Sequence, residues 1–176
     1  MAVGPSEPEW GRAMTGQSVG GLLDWAGPMT PIGAAELADH HAVTRLATAY
    51  ALGIDMRDYA LCRSAFAADA EMADRTGAMV SIDRLLPVLF DSAALYSATQ
   101  HHITNQYVAL NGTEARVWSY AIAYHRNAEN AVGGQVTVGV IYRDNCRSFP
   151  EGWLIVSRRV EIQWTERHSP GRADRH

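Results

Sequence analysis

The 176-residue sequence lacks several features that mark whole classes of protein. No run of Lys and Arg stands out and the net charge is −4, which argues against nucleic acid as a partner. No apolar run reaches the roughly 18 residues that a membrane-spanning helix needs. The N-terminus has no basic segment followed by an apolar core, as a secretory signal would. We therefore expect a cytoplasmic protein with no nucleic-acid partner and no membrane partner.

Cysteine is scarce as well. Cys62 and Cys146 are the only two, and they form no Cys-x-x-Cys pair. Two isolated thiols fit a reduced cytosolic protein, with a single disulfide as the alternative. The sequence also has no glycine-rich phosphate loop after a strand and no nucleophile elbow. We expect no cofactor.

Proline and glycine, by contrast, are dense at the N-terminus. Residues 1–32 contain four of the seven prolines and six glycines, which predicts a flexible or partly ordered arm. Four apolar residues are candidates to fix this arm to the body or to a neighbouring subunit: Trp10, Leu22, Leu23 and Trp25. The charged residues 168–176 predict a disordered tail, which leaves residues 33–167 as one domain.

Helical periodicity dominates the first half of this domain. A helix from residue 34 to Gly53 is predicted by one apolar stripe: Val43, Leu46, Ala47, Tyr50, Ala51 and Ile54. Asp58 is placed to cap a second helix, over residues 59 to about 67, and residues 68–74 predict a short strand. Ser81 is placed to cap a third helix, whose apolar stripe is Leu85, Leu86, Leu89 and Phe90.

The second half of the domain is typical of strands. Four segments rich in β-branched and aromatic residues alternate with turn residues: 101–110, 114–126, 135–147 and 153–165. Asn111-Gly112 is a strong hairpin signal between the first two. Helices followed by an antiparallel meander predict an α+β fold. We expect a cone-shaped α+β barrel, with a strongly bent antiparallel sheet packed on three N-terminal helices and a small-molecule site on its concave side.

Residues 117–125 divide clearly into two faces. One face carries small side chains, including Ser119, and ends at His125. The other face is bulky and apolar: Trp118, Tyr120, Ile122 and Tyr124. We favour the small face as the lining of the cavity, and the reverse arrangement is the alternative. The bulky face is then too large to leave in water, so it predicts a homo-oligomer, a dimer or a trimer.

Residues 99–105 place two histidines at the start of a strand. Adjacent residues point to opposite faces, so only one of His101 and His102 faces the cavity. If His101 does, then Ile103, Asn105 and Tyr107 share its face. A histidine at the edge of an apolar pocket is a candidate general base, because imidazole titrates near neutrality.

Several of these segments together resemble the NTF2-like superfamily, in its SnoaL-like branch. The resemblance covers about residues 35–166 and implies the cone-shaped fold. It rests on a helix ending in Tyr50-Ala-Leu-Gly-Ile-Asp-Met-Arg-Asp-Tyr59, then Phe66-Ala-Ala-Asp, Thr99-Gln-His101, a hairpin, and Glu151-Gly-Trp153.

Within that superfamily the chain is most similar to dehydratase-like members: scytalone dehydratase, the bile-acid 7α-dehydratase and a hexachlorocyclohexane dehydrochlorinase. In those enzymes an Asp after the first helix and a His opening a strand form a dyad, whose histidine removes a proton during an elimination. The resemblance implies these roles for Asp55 and His101, with His125 as a second histidine of the site. Two tyrosines of scytalone dehydratase are not kept, at Ile54 and near Asp74, which argues against the scytalone reaction itself.

These residues predict a cofactor-independent lyase of the dehydratase type, or an isomerase, acting on a small apolar carbonyl compound such as a polyketide or steroid-like intermediate. A polyketide-type cyclase and a non-catalytic ligand-binding module are the alternatives. Asp55, His101 and His125 could instead hold a metal, but no short ligand motif supports one, and we expect none. Candidate substrate-binding residues are Tyr50, Asn105, Ser119, Phe90 and Leu86. The arginine that some relatives use late in the chain corresponds to Arg158 or Arg159.

Overall fold

Six strands form one curved sheet in the computed structural model, which describes residues 20–27, 31–127 and 134–168. The strands are β1 Phe66–Ala73, β2 Met79–Ser81, β3 Ala98–Asn111, β4 Glu114–Arg126, β5 Gln135–Phe149 and β6 Gly152–His168. Their order across the sheet is β2-β1-β6-β5-β4-β3. All neighbours are antiparallel except β1 and β6, which are parallel. The predicted meander is confirmed for β3 to β6, and β1 adds to the sheet beside the last strand.

Four α-helices accompany the sheet in the described ranges: α1 Gly20–Ala26, α2 Leu37–Met56, α3 Tyr59–Arg63 and α4 Ile82–Ala94, with a 3-10 turn over Ala34–Glu36 before α2. All six residues of the predicted stripe on α2 are buried. Helix α2 continues three residues beyond Gly53, the predicted end, and Arg57 terminates it in the left-handed conformation with φ 58°. The three predicted helices and the α+β class are therefore confirmed.

The short helix α3 differs from its prediction. It ends at Arg63 instead of about residue 67, because Phe66 already pairs with Ile155 of β6. Asp58 caps α3 as predicted, with its Oδ1 accepting a hydrogen bond from the Leu61 N–H at 2.9 Å. Ser81 precedes α4, but its side chain makes no capping hydrogen bond. These differences lie at helix ends, where pairing with distant strands competes with local signals.

The core lies between the helices and the inner face of the sheet. Val117 and Ala121 on the small face of β4 are buried in this core, whereas Tyr120 and Tyr124 on the other face are each 40% exposed. The small face therefore turns inward as we favoured, but it packs in the core, and Trp118 of the bulky face is buried as well. Cys62 and Cys146 are buried free thiols, which removes the disulfide alternative.

Part of the predicted arm is helical. Trp25 of α1 packs on Trp118 with ring centroids 6.2 Å apart, and the Arg116 guanidinium donates to the Trp25 carbonyl. Trp10, the side chain of Leu23 and residues 169–176 of the predicted tail lie outside the described residues. Within the described ranges, no helix combines the length and the apolar character needed to cross a membrane.

Candidate active site

Asp55 and His101 come together where the last turn of α2 packs against the start of β3. His101 Nδ1 lies 2.6 Å from Asp55 Oδ1, and the His101 backbone N–H donates to Asp55 Oδ2 over 2.7 Å. Both carboxylate oxygens therefore bind the same residue. The predicted contact between the two side chains is confirmed. So is the choice of histidine, since His102 is exposed on the opposite face.

The carboxylate fixes how His101 is presented. Burial alone would raise the pKa of Asp55, but hydrogen bonds from the His101 side chain and backbone outweigh it and hold the pKa below its ordinary value. Asp55 is thus ionised at neutral pH and accepts a hydrogen bond from the Nδ1–H of His101, and in this tautomer of the neutral imidazole the Nε2 lone pair is available. The side chains of His101 and Asp55 are 8% and 18% exposed, so the pair is shielded from water without being sealed off.

His125 lies beside His101 on the neighbouring strand. Their rings are edge to face with centroids 6.0 Å apart, and the Tyr96 ring centroid lies 4.9 Å from that of His125. Burial lowers the pKa of His125, and the nearby His101 lowers it further, so His125 is neutral at pH 7. Its Nδ1 is buried and has no hydrogen-bond partner within the described ranges. A neutral imidazole can hold a water or a substrate oxygen.

Small and apolar side chains surround the two histidines on the inner face of the sheet. Ala123 of β4 pairs with His101, and Val138 of β5 pairs with Ala123. Ile103 follows on the same face of β3 and packs against the core. These neighbours offer an apolar compound few competing hydrogen bonds.

Two predicted substrate-binding residues belong to the core. Leu86 and Ser119 have no exposed surface, and Ser119 Oγ accepts a hydrogen bond from Gln106 Nε2 at 3.1 Å. Both side chains are fully enclosed, so neither is open to a ligand in this conformation. Phe90 is partly buried on α4 and packs on Tyr59, with ring centroids 5.3 Å apart.

The prediction that Asn105 shares the inner face with His101 is wrong. The register of β3 against β4 shifts between Ile103 and Gln106, so two residues of β3 lie opposite Tyr120 alone. Beyond this bulge the faces are exchanged. Gln106 takes the inner position, where its amide also donates to the Thr44 carbonyl, and Asn105 is exposed.

Tyr50 lies in a buried polar cluster behind the histidines. The Arg158 guanidinium lies 4.5 Å from the ring centroids of both Tyr50 and Tyr142, and these two rings contact each other edge to face. Arg158 also makes two hydrogen bonds of 2.7 Å to Asp144. Burial raises the pKa of Tyr50, so its phenol stays protonated. The inward-facing late arginine is therefore Arg158, while Arg159 is exposed.

Sequence reasoning missed Asp144 altogether, although a signal for it exists. Along β5 the inward positions are Val136, Val138, Val140 and Tyr142, and the next residue in that alternation is Asp144. A carboxylate on the buried face of a strand requires a cationic partner. Tyr96 and Thr99, which also lie at the site, carry no such signal.

The metal interpretation would require Asp55, His101 and His125 to converge on one ion. In the part of the chain that the structure describes, no three His, Cys, Asp or Glu side chains are arranged to hold a metal. Asp55 already occupies His101 Nδ1.

A groove of about 570 Å³ lies at the opposite end of β3, away from the histidines. Its lining includes charged and amide side chains: Asn111, Glu114, Arg116, Asn145 and Arg147. None of the predicted site residues lines it. We therefore do not place the apolar compound there.

The chain is similar in sequence and in fold to known proteins. Residues 35–159 match the SnoaL-like domain. A structure from Novosphingobium aromaticivorans, provisionally assigned as a scytalone dehydratase, has a TM-score of 0.67 and 21% identity, over 79% of this chain and 97% of that one. The dehydrochlorinase LinA-type3 from Novosphingobium barchaimii has a TM-score of 0.67 and 13% identity, over 76% and 92%.

A third structure, from Kribbella flavida, has a TM-score of 0.67 and 20% identity, over 74% of this chain and 94% of that one. No curated protein matches the chain. Similarities at these identities establish the NTF2-like fold and leave the reaction open. Because the family match covers most of the chain, including Asp55, His101 and His125, the protein belongs to the SnoaL-like family.

Proposed function

We propose that this protein is a cofactor-independent lyase of the dehydratase type, or an isomerase, that acts on a small apolar carbonyl compound. His101 is the general base, Asp55 orients it, and His125 holds the oxygen of the substrate or a water. Polyketide and steroid-like intermediates, which combine an apolar skeleton with carbonyl groups, are the substrates we favour.

The observation that carries this proposal is the double contact between Asp55 and His101. One carboxylate oxygen engages Nδ1 and the other engages the backbone N–H of the same residue. This arrangement fixes the ring and its tautomer, directs Nε2 away from Asp55, and stabilises the imidazolium that forms when Nε2 takes a proton. A histidine with a purely structural role has no need of a free, oriented Nε2.

The reaction balances with these groups alone. Nε2 of His101 removes a proton from the carbon next to the carbonyl, and the electrons of that C–H bond form the new C=C bond. The C–O bond to the leaving hydroxyl breaks, and the imidazolium returns its proton to that oxygen, so water leaves. In the isomerase version the same proton returns to carbon two positions further along. Positioned proton transfer of this kind contributes roughly 10² to 10⁴-fold.

The proposal is tested by exchange of the α-protons of an apolar ketone, such as 2-tetralone, into D₂O, followed by proton NMR. Exchange requires the base and no leaving group. We expect the wild-type protein to catalyse it and His101→Ala to lose about 10² to 10⁴-fold. We expect Asp55→Asn to lose nearly as much, because an amide still holds the ring but no longer stabilises the imidazolium.

His102→Ala is the matched control, since it removes the neighbouring histidine from the exposed face of the same strand. It should exchange at the wild-type rate. If wild-type, His101→Ala and His102→Ala proteins exchange the ketone at the same rate, His101 is not a base. The non-catalytic ligand-binding module then becomes the better interpretation.

A further inference from the structure

Arg57 follows Asp55 by two residues, directly after the last residue of α2. Its backbone adopts the left-handed conformation at the end of α2, where glycine is the usual residue. An arginine at this position adopts a strained backbone conformation that glycine would adopt without strain. The side chain is therefore the feature that distinguishes this position.

The Arg57 guanidinium connects three elements. Nη1 donates to the Ile54 carbonyl at the end of α2, over 2.5 Å, and to Thr99 Oγ1 at the start of β3, over 2.7 Å. Nη2 donates to the Ala93 carbonyl at the end of α4, over 2.7 Å, with a longer contact to the Tyr96 carbonyl at 3.5 Å. No other described arginine contacts both α2 and β3 through hydrogen bonds.

Each of these attachments carries a group of the candidate active site. Helix α2 carries Asp55, and β3 carries His101 two residues after Thr99, on the same face. The segment after α4 carries Tyr96, whose ring packs on His125. Thr99 is itself the cross-strand partner of His125 and is buried.

Thr99 provides the direct link to the dyad. Its oxygen accepts a hydrogen bond from Arg57. Hydrogen bonds from His101 are the main cause that lowers the pKa of Asp55, and the Thr99 side chain adds a smaller lowering. The other titratable groups whose charges couple to Asp55 are His101, His125 and Tyr142.

We propose that Arg57 is a positioning residue, which holds Asp55 and His101 in their productive arrangement by fixing Thr99 and the ends of α2 and α4 around them. The effect of this role on catalysis rests on the proposed function. The geometry that it predicts can be measured without any substrate.

Arg57→Gln is compared with Arg63→Gln as a matched control. Arg63 likewise donates to three backbone carbonyls, those of residues 66, 67 and 68, and to one side chain, Asp83, but it contacts no residue of the site. Thr99→Val, which removes the hydroxyl at nearly constant volume, tests the link to Asp55 and also replaces Arg57→Gln should that variant fail to fold. Thr99→Ser restores the hydroxyl.

The first measurement needs no turnover. Carbon-13 NMR titration follows the Asp55 carboxyl, and proton exchange follows the ring N–H of His101. In Arg57→Gln and Thr99→Val we expect the pKa of Asp55 to rise toward its ordinary value and the ring proton to exchange faster with water. In Arg63→Gln and Thr99→Ser both quantities should stay at the wild-type values.

The second measurement is ketone exchange. We expect Arg57→Gln to lower kcat by up to about 100-fold with little change in KM, because misplacement of the base by a fraction of an ångström is felt in the transition state. If Arg57→Gln and Arg63→Gln change the Asp55 titration and the ring-proton exchange alike, or neither changes them, the positioning role is wrong. If the wild-type protein exchanges no ketone but the NMR differences are present, the positioning role stands and the proposed function fails.

Discussion

Replacing Asp144 by alanine should destabilise the protein more than the loss of any surface ion pair. Arg158 has no exposed surface and Asp144 is 1% exposed, and two hydrogen bonds of 2.7 Å join them. In Asp144→Ala the guanidinium keeps its charge but loses its only anionic partner among the described residues. Removing one member of a buried pair costs about 3–5 kcal/mol, because the other charge remains desolvated and unpaired.

Arg143 and Glu161 supply the internal control. They join the same two strands, β5 and β6, through contacts of 2.8 and 3.0 Å, but both side chains are about one-fifth exposed. Water can solvate Arg143 when Glu161 is removed, so Glu161→Ala should cost about 1 kcal/mol or less. Comparing the two variants separates the effect of burial on the free energy of unfolding from the effect of a bidentate ion pair.

The assay is urea denaturation with linear extrapolation, supported by thermal melting. For a chain of this length, 3–5 kcal/mol corresponds to a fall in Tm of roughly 6–20 °C. The double variant Asp144→Leu with Arg158→Met should lose less stability than Asp144→Ala, since an apolar replacement leaves no buried charge. A loss below about 1 kcal/mol in Asp144→Ala, or a double variant that loses at least as much stability as Asp144→Ala, would refute this reasoning.

Two further outcomes concern pH and assembly. The folded protein holds the pKa of His125 below its ordinary value, so near that ordinary value the unfolded chain binds more protons than the folded one. The free energy of unfolding should therefore fall as the pH drops from 7.5 through about 6.5. His125→Gln should flatten this fall, as measured by the urea midpoint at each pH. From the apolar outer face of β4 we expect light scattering at micromolar concentration to show a dimer or a trimer. Tyr120→Glu and Tyr124→Glu should shift the protein toward monomer, because a charge at the interface would have to be desolvated. A monomeric wild-type protein would contradict this prediction.

Local patterns were sufficient for much of the fold and for the dyad. The bounds of β4 coincide with the predicted segment 114–126, because alternation and the Asn-Gly turn are both local signals. His101 and Asp55 were identified by residue type, strand period and resemblance, and their contact is confirmed.

What the sequence did not predict depends on contacts between distant residues. The strict alternation of faces along a strand does not predict the bulge that turns Asn105 outward, because nothing in the sequence of this segment marks the extra residue. The pairing of β1 with β6 joins Phe66 to Ile155, about half the chain apart, and it shortens α3. The choice between Arg158 and Arg159 required the position of Asp144 on the neighbouring strand.

The place of β6 in the sheet also bears on how the chain folds during synthesis. Of the described strands β6 is the last to be synthesised, yet it lies between β1 and β5 and pairs with both of them. Until residues 152–168 have left the ribosome, β1 and β2 can pair only with each other, and β5 has a free edge. Unpaired strand edges are prone to intermolecular association. Nascent chains of this protein therefore have an aggregation-sensitive interval that ends only when the final strand inserts.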